Sequence, residues 1–180
     1  MPAIITGGNF GDQIQSKAFG LSFNNATLNG TKVLEGKVEV YFPDMPDARY
    51  LHQSAVVKIK GQLHLIVFGG KSNPSTTEAL KSVNKLKIHY LLQEQKPKEK
   101  ELWVPCKEMN TARCLFASIT SIDFRYIYAY GGITKNEQHI PTVVADNLFE
   151  RYDSEENIWL SFEIKNAPRL SAFGWCQGRH

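Results

Sequence analysis

Several things are scarce in this chain, and each scarcity narrows what it does. No apolar run reaches the ~18 residues of a membrane-spanning helix, and no basic segment followed by an apolar core reads as a secretory signal. No membrane partner is therefore expected. No stretch of ten or more residues keeps a helical period; residues 75–86 come nearest, and their Thr-Thr and Ser-Val-Asn content predicts a loop running into a strand. Cysteine is sparse: Cys106, Cys114 and Cys176 are odd in number and show no C-x-x-C spacing. Free thiols in a reducing compartment fit this best, and a cytoplasmic or cytoskeleton-associated location is the expectation. Charge of one sign is nowhere concentrated. The net charge is +3, the lysines are spread, and the one charge run, 94–101, mixes signs as a solvated loop does, so no nucleic-acid partner is expected. Hydrophobic residues make up 42% and charged residues 22%, a globular balance.

Signatures of chemistry are missing as well. Gly69-Gly70-Lys71-Ser72 comes nearest to a phosphate-cradling loop, but the upstream glycine is absent and a strand, not a helix, is expected next. His52, His64, His89, His139 and His180 stand singly, without a second ligand-type residue at i, i+4. No nucleophile-elbow motif marks a serine. The expectation is a protein that is not an enzyme, with no metal and no cofactor. Asn25-Ala26-Thr27 and Asn29-Gly30-Thr31 match glycosylation acceptors, but such triplets arise by chance in what reads as an Asn/Thr-rich loop.

What is present is a repeat. Residues 63–70 (Leu-His-Leu-Ile-Val-Phe-Gly-Gly) and 125–132 (Arg-Tyr-Ile-Tyr-Ala-Tyr-Gly-Gly) are apolar strands ending in a double glycine. The pairs Gly7-Gly8, Gly69-Gly70 and Gly131-Gly132 fall 62 residues apart each time. After the second and third pairs come an Asn/Thr-rich segment, an apolar run ending in Tyr90 or Tyr152, and a tryptophan, Trp103 or Trp159. Ten residues beyond each tryptophan stands an arginine, Arg113 or Arg169. A weaker copy leads to Arg49, with Glu39 in the tryptophan position. Short runs rich in Ile, Val, Phe and Tyr, bounded by Gly, Asn and Pro, are strand chemistry. Paired glycines suit a sharp strand exit against crowded backbone, and a tryptophan supplies apolar area between sheets.

This pattern resembles the kelch repeat: an arginine after a Met-Pro-like turn, at times with a histidine three residues on (Arg49, His52), a strand ending in Gly-Gly, a second ending in Tyr-Asp (Tyr152-Asp153), and a tryptophan opening the fourth strand. The resemblance implies an all-β fold, an incomplete kelch-type β-propeller of four-stranded antiparallel blades. Residues 1–180 would form one partial propeller: 1–48 a degenerate blade lacking its first strand, 49–112 and 113–168 full blades, and 169–180 the first strand of a further blade. The glycine pairs, Trp103, Trp159, Tyr90 and Tyr152 would be structural; the arginines would hold blade to blade, and His52 would be a hydrogen-bonding residue. Some kelch-fold proteins are enzymes. The copper oxidases use a Cys-linked Tyr with Tyr and His ligands, and the iron-dependent specifier proteins carry Glu-x-x-x-Asp-x-x-x-His; neither set is matched here.

At about 50 residues per kelch repeat, the chain holds between three and four blades, whereas closed rings have four to eight. Three arrangements answer this. The remaining blades belong to a longer chain, a partner covers the edges of an open arc, or self-association of two chains makes a six-bladed ring. Function is expected to be non-catalytic: a scaffold or substrate-recruiting adaptor that binds a protein or peptide. Kelch rings of this kind recruit substrates to cullin-type ubiquitin ligases, bind actin or scaffold assemblies. Binding is expected in loops on one face: 9–16, 71–82 and 133–145 after the glycines, and 43–53, 105–115 and 165–172 through the arginines. The candidate contacts are Arg49, His52, Lys71, Asn73, Thr76, Arg113, Lys135, Asn136, Gln138, His139 and Arg169. The alternative is a segment of a kelch-fold enzyme whose active site lies on blades absent from these residues.

Overall fold

The computed structural model describes residues 3–76, 78–88, 102–135, 141–144 and 148–166. Every described element is a β-strand, and all pairing is antiparallel. In chain order the first group is β1 (Ala3–Thr6), β2 (Asn9–Phe10), β3 (Gln13–Ile14), β4 (Ala18–Leu28) and β5 (Thr31–Tyr41). The second is β6 (Gln53–Ile59), β7 (Gln62–Phe68), β8 (Val83–Lys87) and β9 (Val104–Pro105). The third is β10 (Ala117–Thr120), β11 (Tyr126–Tyr130), β12 (Ile133–Lys135), β13 (Pro141–Val143), β14 (Leu148–Asp153) and β15 (Ile158–Glu163).

Each group makes one main sheet in simple up-and-down order: β1-β4-β5, then β6-β7-β8-β9, then β10-β11-β14-β15. β2-β3 and β12-β13 are small hairpins inserted directly after the first and third double glycines. The first sheet has three strands, with no counterpart to β6 or β10 beside β1 among the described residues. The described sheets do not close a ring.

Strand β7 shows why the sheets stack. It is a central strand, rich in residues that pack well on a pleated surface, and covered on both faces it reads as a continuous apolar run. Its side chains alternate between two cores. Leu65 joins Leu86 and Ile88 against Ala18 and Phe42 of the first group. Ile66 and Phe68 join Val57 and Val83 against Phe116, Ile127, Ala129, Tyr152 and Trp159 of the third. The second sheet is therefore sandwiched between the other two. Burying Leu65, Ile66 and Phe68, all essentially inaccessible, contributes about 1.5–3 kcal/mol each.

Both tryptophans make the same joint. Trp159 Nε1 donates to the Lys107 carbonyl at 3.0 Å, and Trp103 Nε1 donates to the Pro43 carbonyl at 2.8 Å. Lys107 and Pro43 each stand six residues before the arginine of their repeat, Arg113 and Arg49. Trp159 is a full core residue, whereas Trp103 is half-buried at the margin of the smaller core.

Two expectations need correction. Tyr152 pairs with Ile127, and at the matching place in the second sheet Leu86 pairs with Leu65. Leu86, rather than Tyr90, is thus the counterpart of Tyr152; Tyr90 itself lies outside the described residues, as does the charge run 94–101. The segment read as an Asn/Thr-rich loop around Asn25 and Asn29 is instead a long β-ribbon. β4 and β5 pair down to Leu28 and Thr31, turning at Asn29 (φ 48°) and Gly30 (φ 79°). Two positive φ values in a two-residue turn make the hairpin geometry that matches strand twist. Alternation in 22–36 is weak because β1 pairs only with Ala18 to Leu21, leaving the far half of the ribbon exposed on both faces.

The double glycines are required by close approach as well as by φ. Gly69 has φ +65°, and a Cβ there would lie 2.7 Å from the Arg113 carbonyl oxygen and from the Phe116 ring. Gly61, in the β6–β7 turn, has φ +77° with open space around it. Gly61→Ala is expected to cost about 1–2 kcal/mol, the left-handed penalty alone. Gly69→Ala should lose a further ~1–3 kcal/mol from overpacking. Urea titrations of the two variants against the parent chain measure the difference; equal losses would remove the close-approach argument.

Candidate binding face

The exits of the three Gly-Gly strands are built alike. Gly8 N–H donates to the Arg49 carbonyl at 2.9 Å, and Gly70 N–H to the Arg113 carbonyl at 2.9 Å. The returning chain then closes on the same glycine: Gln15 N–H donates to Gly8 O, Leu80 to Gly70 O, and Val144 to Gly132 O. Arg49 N–H donates to Gln15 O, and Arg113 N–H to Leu80 O. Reciprocal bonds continue the pattern, Tyr50 with Lys71 and Cys114 with Ile133. The expected post-glycine loops thus stand on one continuous backbone lattice at one end of the sheets. Two of them are hairpins, β2-β3 and β12-β13, rather than loops.

Arg49 and Arg113, offered in sequence as partner contacts, are fully buried. Arg49 donates through Nη1 to the carbonyls of Gly69 and Ser82, and through Nη2 to Ser82 Oγ and Asp47 Oδ2. Arg113 donates through Nη1 to Gly131 O at 2.9 Å and through Nη2 to Glu150 Oε1 at 2.6 Å. The fork of guanidinium donors suits this: it satisfies carbonyls at a strand exit that no neighbouring strand reaches. Burial pulls both pKa values below the usual arginine value, opposed by Asp47 and Glu150 respectively. These two arginines therefore leave the set of partner contacts.

Glu150 is a residue that the repeat pattern did not point to. It is fully buried, and besides Arg113 its carboxylate accepts N–H donors from Asn110 and Thr111. Its signal in sequence is a carboxylate beside Arg151 within the strand segment Leu148-Phe149-Glu150-Arg151-Tyr152. Glu150→Gln leaves the Arg113 charge buried and unpaired, and is expected to cost about 3–5 kcal/mol. Asp47→Asn removes a counter-ion that is 53% exposed, so water replaces part of its effect on the buried Arg49 guanidinium and a smaller loss is expected. Chemical denaturation of the two variants side by side tests this; a Glu150 loss no larger than the Asp47 loss would contradict the buried-pair account.

His52 also turns inward. Its Nε2 is hydrogen-bonded to Thr6 Oγ1 at 2.8 Å, and its Nδ1 is buried without a partner. It occupies the position that Phe116 holds one repeat later, three residues after the arginine. Burial, with the neighbouring Arg49 charge, lowers its pKa from 6.5 to about 4. The unfolded chain thus binds a proton between about pH 6.5 and pH 4 that the folded chain refuses. Stability should fall as pH drops through that window. His52→Phe, which copies Phe116, is expected to flatten the slope. Urea midpoints at pH 7.5, 5.5 and 4 for both chains measure it; parallel curves would show that His52 is protonated as readily in the fold as out of it.

The remaining candidates divide. Lys71 is half-buried and donates through Nζ to the Thr76 carbonyl at 3.3 Å; Asn73 Oδ1 accepts from Ser75 N–H at 2.8 Å. Thr76 Oγ1 turns back on Asn73 O at 3.4 Å, so this loop is internally braced. Lys135 pairs with Glu78 at 3.0 Å and links the third group's hairpin to the second group's loop. Asn136, Gln138, His139 and Arg169 lie outside the described residues. Phe10, at the β2–β3 tip, was not among the expected contacts, yet it is 80% exposed. Cys114 is buried and Cys106 half-buried, both as free thiols, and burial raises the pKa of each. Among the described residues, no group of three or more His, Cys, Asp or Glu is placed to hold a metal ion.

No family model matches the sequence, and no curated protein matches it. Solved structures do match in fold. A RAG complex with one melted and one unmelted RSS contains a chain 15% identical, with a TM-score of 0.62, covering 95% of this chain and 49% of its own. YjhT is 14% identical with a TM-score of 0.56, over 92% of this chain and 52% of its own. A fungal alcohol oxidase of the AA5 family, in complex with copper, is 13% identical with a TM-score of 0.53, over 86% of this chain and 29% of its own. At these identities the likeness is one of fold: this chain is all-β and propeller-like, built of antiparallel sheets. It spans about half the length of the first two of these chains and 29% of the oxidase.

Proposed function

We propose that the chain is a protein- or peptide-binding module that uses the face formed by the β2–β3 hairpin, the 71–82 loop and the β12–β13 hairpin. The observation that supports this most directly is Phe10. A hairpin stapled at its base to Gly8 and Arg49 presents a phenylalanine at 80% exposure, with the polar 71–82 loop standing on the next strand exit. A rigidly mounted aromatic with a polar surround is the common anatomy of a protein contact. Arg49, Arg113 and His52 serve the scaffold, which leaves recognition to the loop positions where the repeats differ. A scaffold or adaptor role extends this reading.

Peptides selected from a random display library on the intact chain provide the test. Their affinity is expected to fall at least tenfold in Phe10→Asp, about the effect of losing an aromatic anchor. It should stay unchanged in Ile122→Asp, whose side chain is 83% exposed at the β10–β11 turn, the other end of the strands. Loss in Ile122→Asp alone, or in neither variant, puts the binding face elsewhere. The second reading, a segment of a kelch-fold enzyme, is favoured by the copper-bound alcohol oxidase among the fold relatives. With its active site on blades absent from these residues, it predicts that no selected peptide depends on Phe10 for its affinity.

A further inference from the structure

The β4–β5 ribbon pairs two strands of 11 residues each. The sheet order β1-β4-β5 leaves β5 at an edge along its whole length among the described residues. Residues 31–37 are exposed without exception, Leu34 at 69%. Gly36 has only backbone to expose, and it is exposed too, so the backbone of this edge itself meets solvent. Edge strands are commonly blunted by shortness, proline or a row of lysines. β5 is long, lacks proline, and alternates the sign of its charges: Lys32, Glu35, Lys37, Glu39.

The turn fixes which groups the edge offers. Leu28 and Thr31 pair across a two-residue turn in which Asn29 and Gly30 both have positive φ. In such a hairpin the flanking pair exchanges its backbone hydrogen bonds. Alternation from there turns the N–H and C=O of Thr31, Val33, Glu35 and Lys37 toward β4, and those of Lys32, Leu34, Gly36 and Val38 outward. The pairing with β4 shifts at Gly20/Leu21, where Glu39 has no cross-strand partner, so the regular edge ends at Val38. An added antiparallel strand must match the even-numbered residues. A second β5 does so about a two-fold axis through any residue of the edge, and charge selects among the axes. Centred on Glu35, glutamate faces glutamate. Centred on Lys37, lysine faces lysine. Centred on Leu34, no lysine faces a glutamate. Centred on Gly36, Glu35 of each copy faces Lys37 of the other, twice by symmetry, and Leu34 faces Val38. Opposite charges directly across a strand pair stabilise it, and like charges destabilise it. The other face of the sheet agrees with this axis. Phe23 pairs with Gly36, its ring 3.3 Å from where a Cβ of Gly36 would be. Centring on Gly36 sets the two phenylalanines in one row, with Leu34 and Val38 of each copy beside them.

We propose that two copies of this chain join by antiparallel pairing of their β5 edges about Gly36, making one continuous sheet of the two first groups. Backbone hydrogen bonds supply the contact, as in other strand additions, and a two-fold contact of one edge with itself closes at two copies. Charge complementarity favours a second copy over an unrelated strand. The edge asks for a lysine opposite Glu35 and an acid opposite Lys37, in reversed order two residues apart, and β5 itself carries that pattern. Among the described residues neither Glu35 nor Lys37 is in an ion pair. The inference is independent of the binding face.

Light scattering coupled to size exclusion, from about 1 to 200 µM, tests it, because a dimer is concentration-dependent. The wild-type mass is expected to reach about 41 kDa, twice the 20.4 kDa chain. Glu35→Lys sets lysine against lysine at both crossings, and Lys37→Glu sets glutamate against glutamate. Each variant alone should dimerise at least about tenfold more weakly. An equimolar mixture of the two should recover the dimer, because every lysine then faces a glutamate, and the double variant Glu35→Lys with Lys37→Glu should recover it alone. Leu34→Pro removes an outward N–H without touching the pairing to β4, and should give a monomer with an unchanged urea midpoint. Circular dichroism checks that all are folded. A wild-type monomer at every concentration overturns the proposal and leaves the edge to an extended segment of another protein. A dimer that survives both single charge variants overturns it, as does a mixture that stays monomeric or a ladder of larger species.

Discussion

One backbone oxygen in each repeat fixes how closely consecutive sheets approach. The Arg113 carbonyl lies where a Cβ on Gly69 would be, 2.7 Å away, and accepts the N–H of Gly70 at 2.9 Å. The Arg49 carbonyl does the same to Gly7, and accepts the N–H of Gly8 at 2.9 Å. The first glycine is needed because there is no room for a side chain, and the second because its amide reaches the oxygen at a positive φ, 110° at Gly8 and 90° at Gly70. A pair is therefore required, and a single glycine would satisfy half of the joint. With the sheets held at that distance, Ile66, Phe68, Tyr152 and Trp159 fill the space between them at core density.

The same arginine works in two directions. Its carbonyl meets the glycines of the preceding sheet, while its guanidinium reaches the glycines of its own: Arg49 to Gly69 O, and Arg113 to Gly131 O. Burying a guanidinium is costly unless it is paired and hydrogen-bonded. Arg113 meets that condition with a fully buried carboxylate, Glu150, and Arg49 with a half-exposed one, Asp47, plus Ser82. The backbone role is common to both repeats, whereas the counter-ion differs between them. This explains why arginine recurs at a fixed distance from the tryptophan while its acidic partner does not. A lysine offers no planar fork to bridge two carbonyls and a carboxylate at once.

What was legible in the sequence follows from this. Glycine pairs, arginines and tryptophans recur because each makes a contact that depends on backbone position, and backbone position is what a repeat preserves. Gly69, Arg113 and Trp159 are read off spacing alone. Glu150 was not, because its role depends on a side chain approaching from another strand, and spacing carries no record of that. Leu86 was passed over for Tyr90 because strand register is set by pairing with β7, not by the last aromatic in a run. The ribbon of β4 and β5 reads as a loop in sequence because a strand pair exposed on both faces has no reason to alternate. Phe10 escaped notice for the converse reason: an exposed aromatic at a two-residue hairpin tip belongs to no periodic pattern.

Subtracting what the repeats share isolates what is particular to this chain. Arg49 and Arg113 cancel, as do the glycine pairs and the two tryptophan joints. His52 against Phe116 does not cancel, and it gives the first joint a titratable group where the second has a hydrocarbon ring. Nor do the excursions after the glycines: a short hairpin carrying Phe10, a self-braced loop carrying Lys71, and a hairpin tied across by Lys135 to Glu78. All three rise from the same lattice of Gly8, Arg49, Gly70, Arg113 and Gly132 hydrogen bonds, so their bases are held in register while their tips are free to differ. A recognition surface needs that division, because preorganised bases lower the ordering cost of binding and varied tips give it a specific shape.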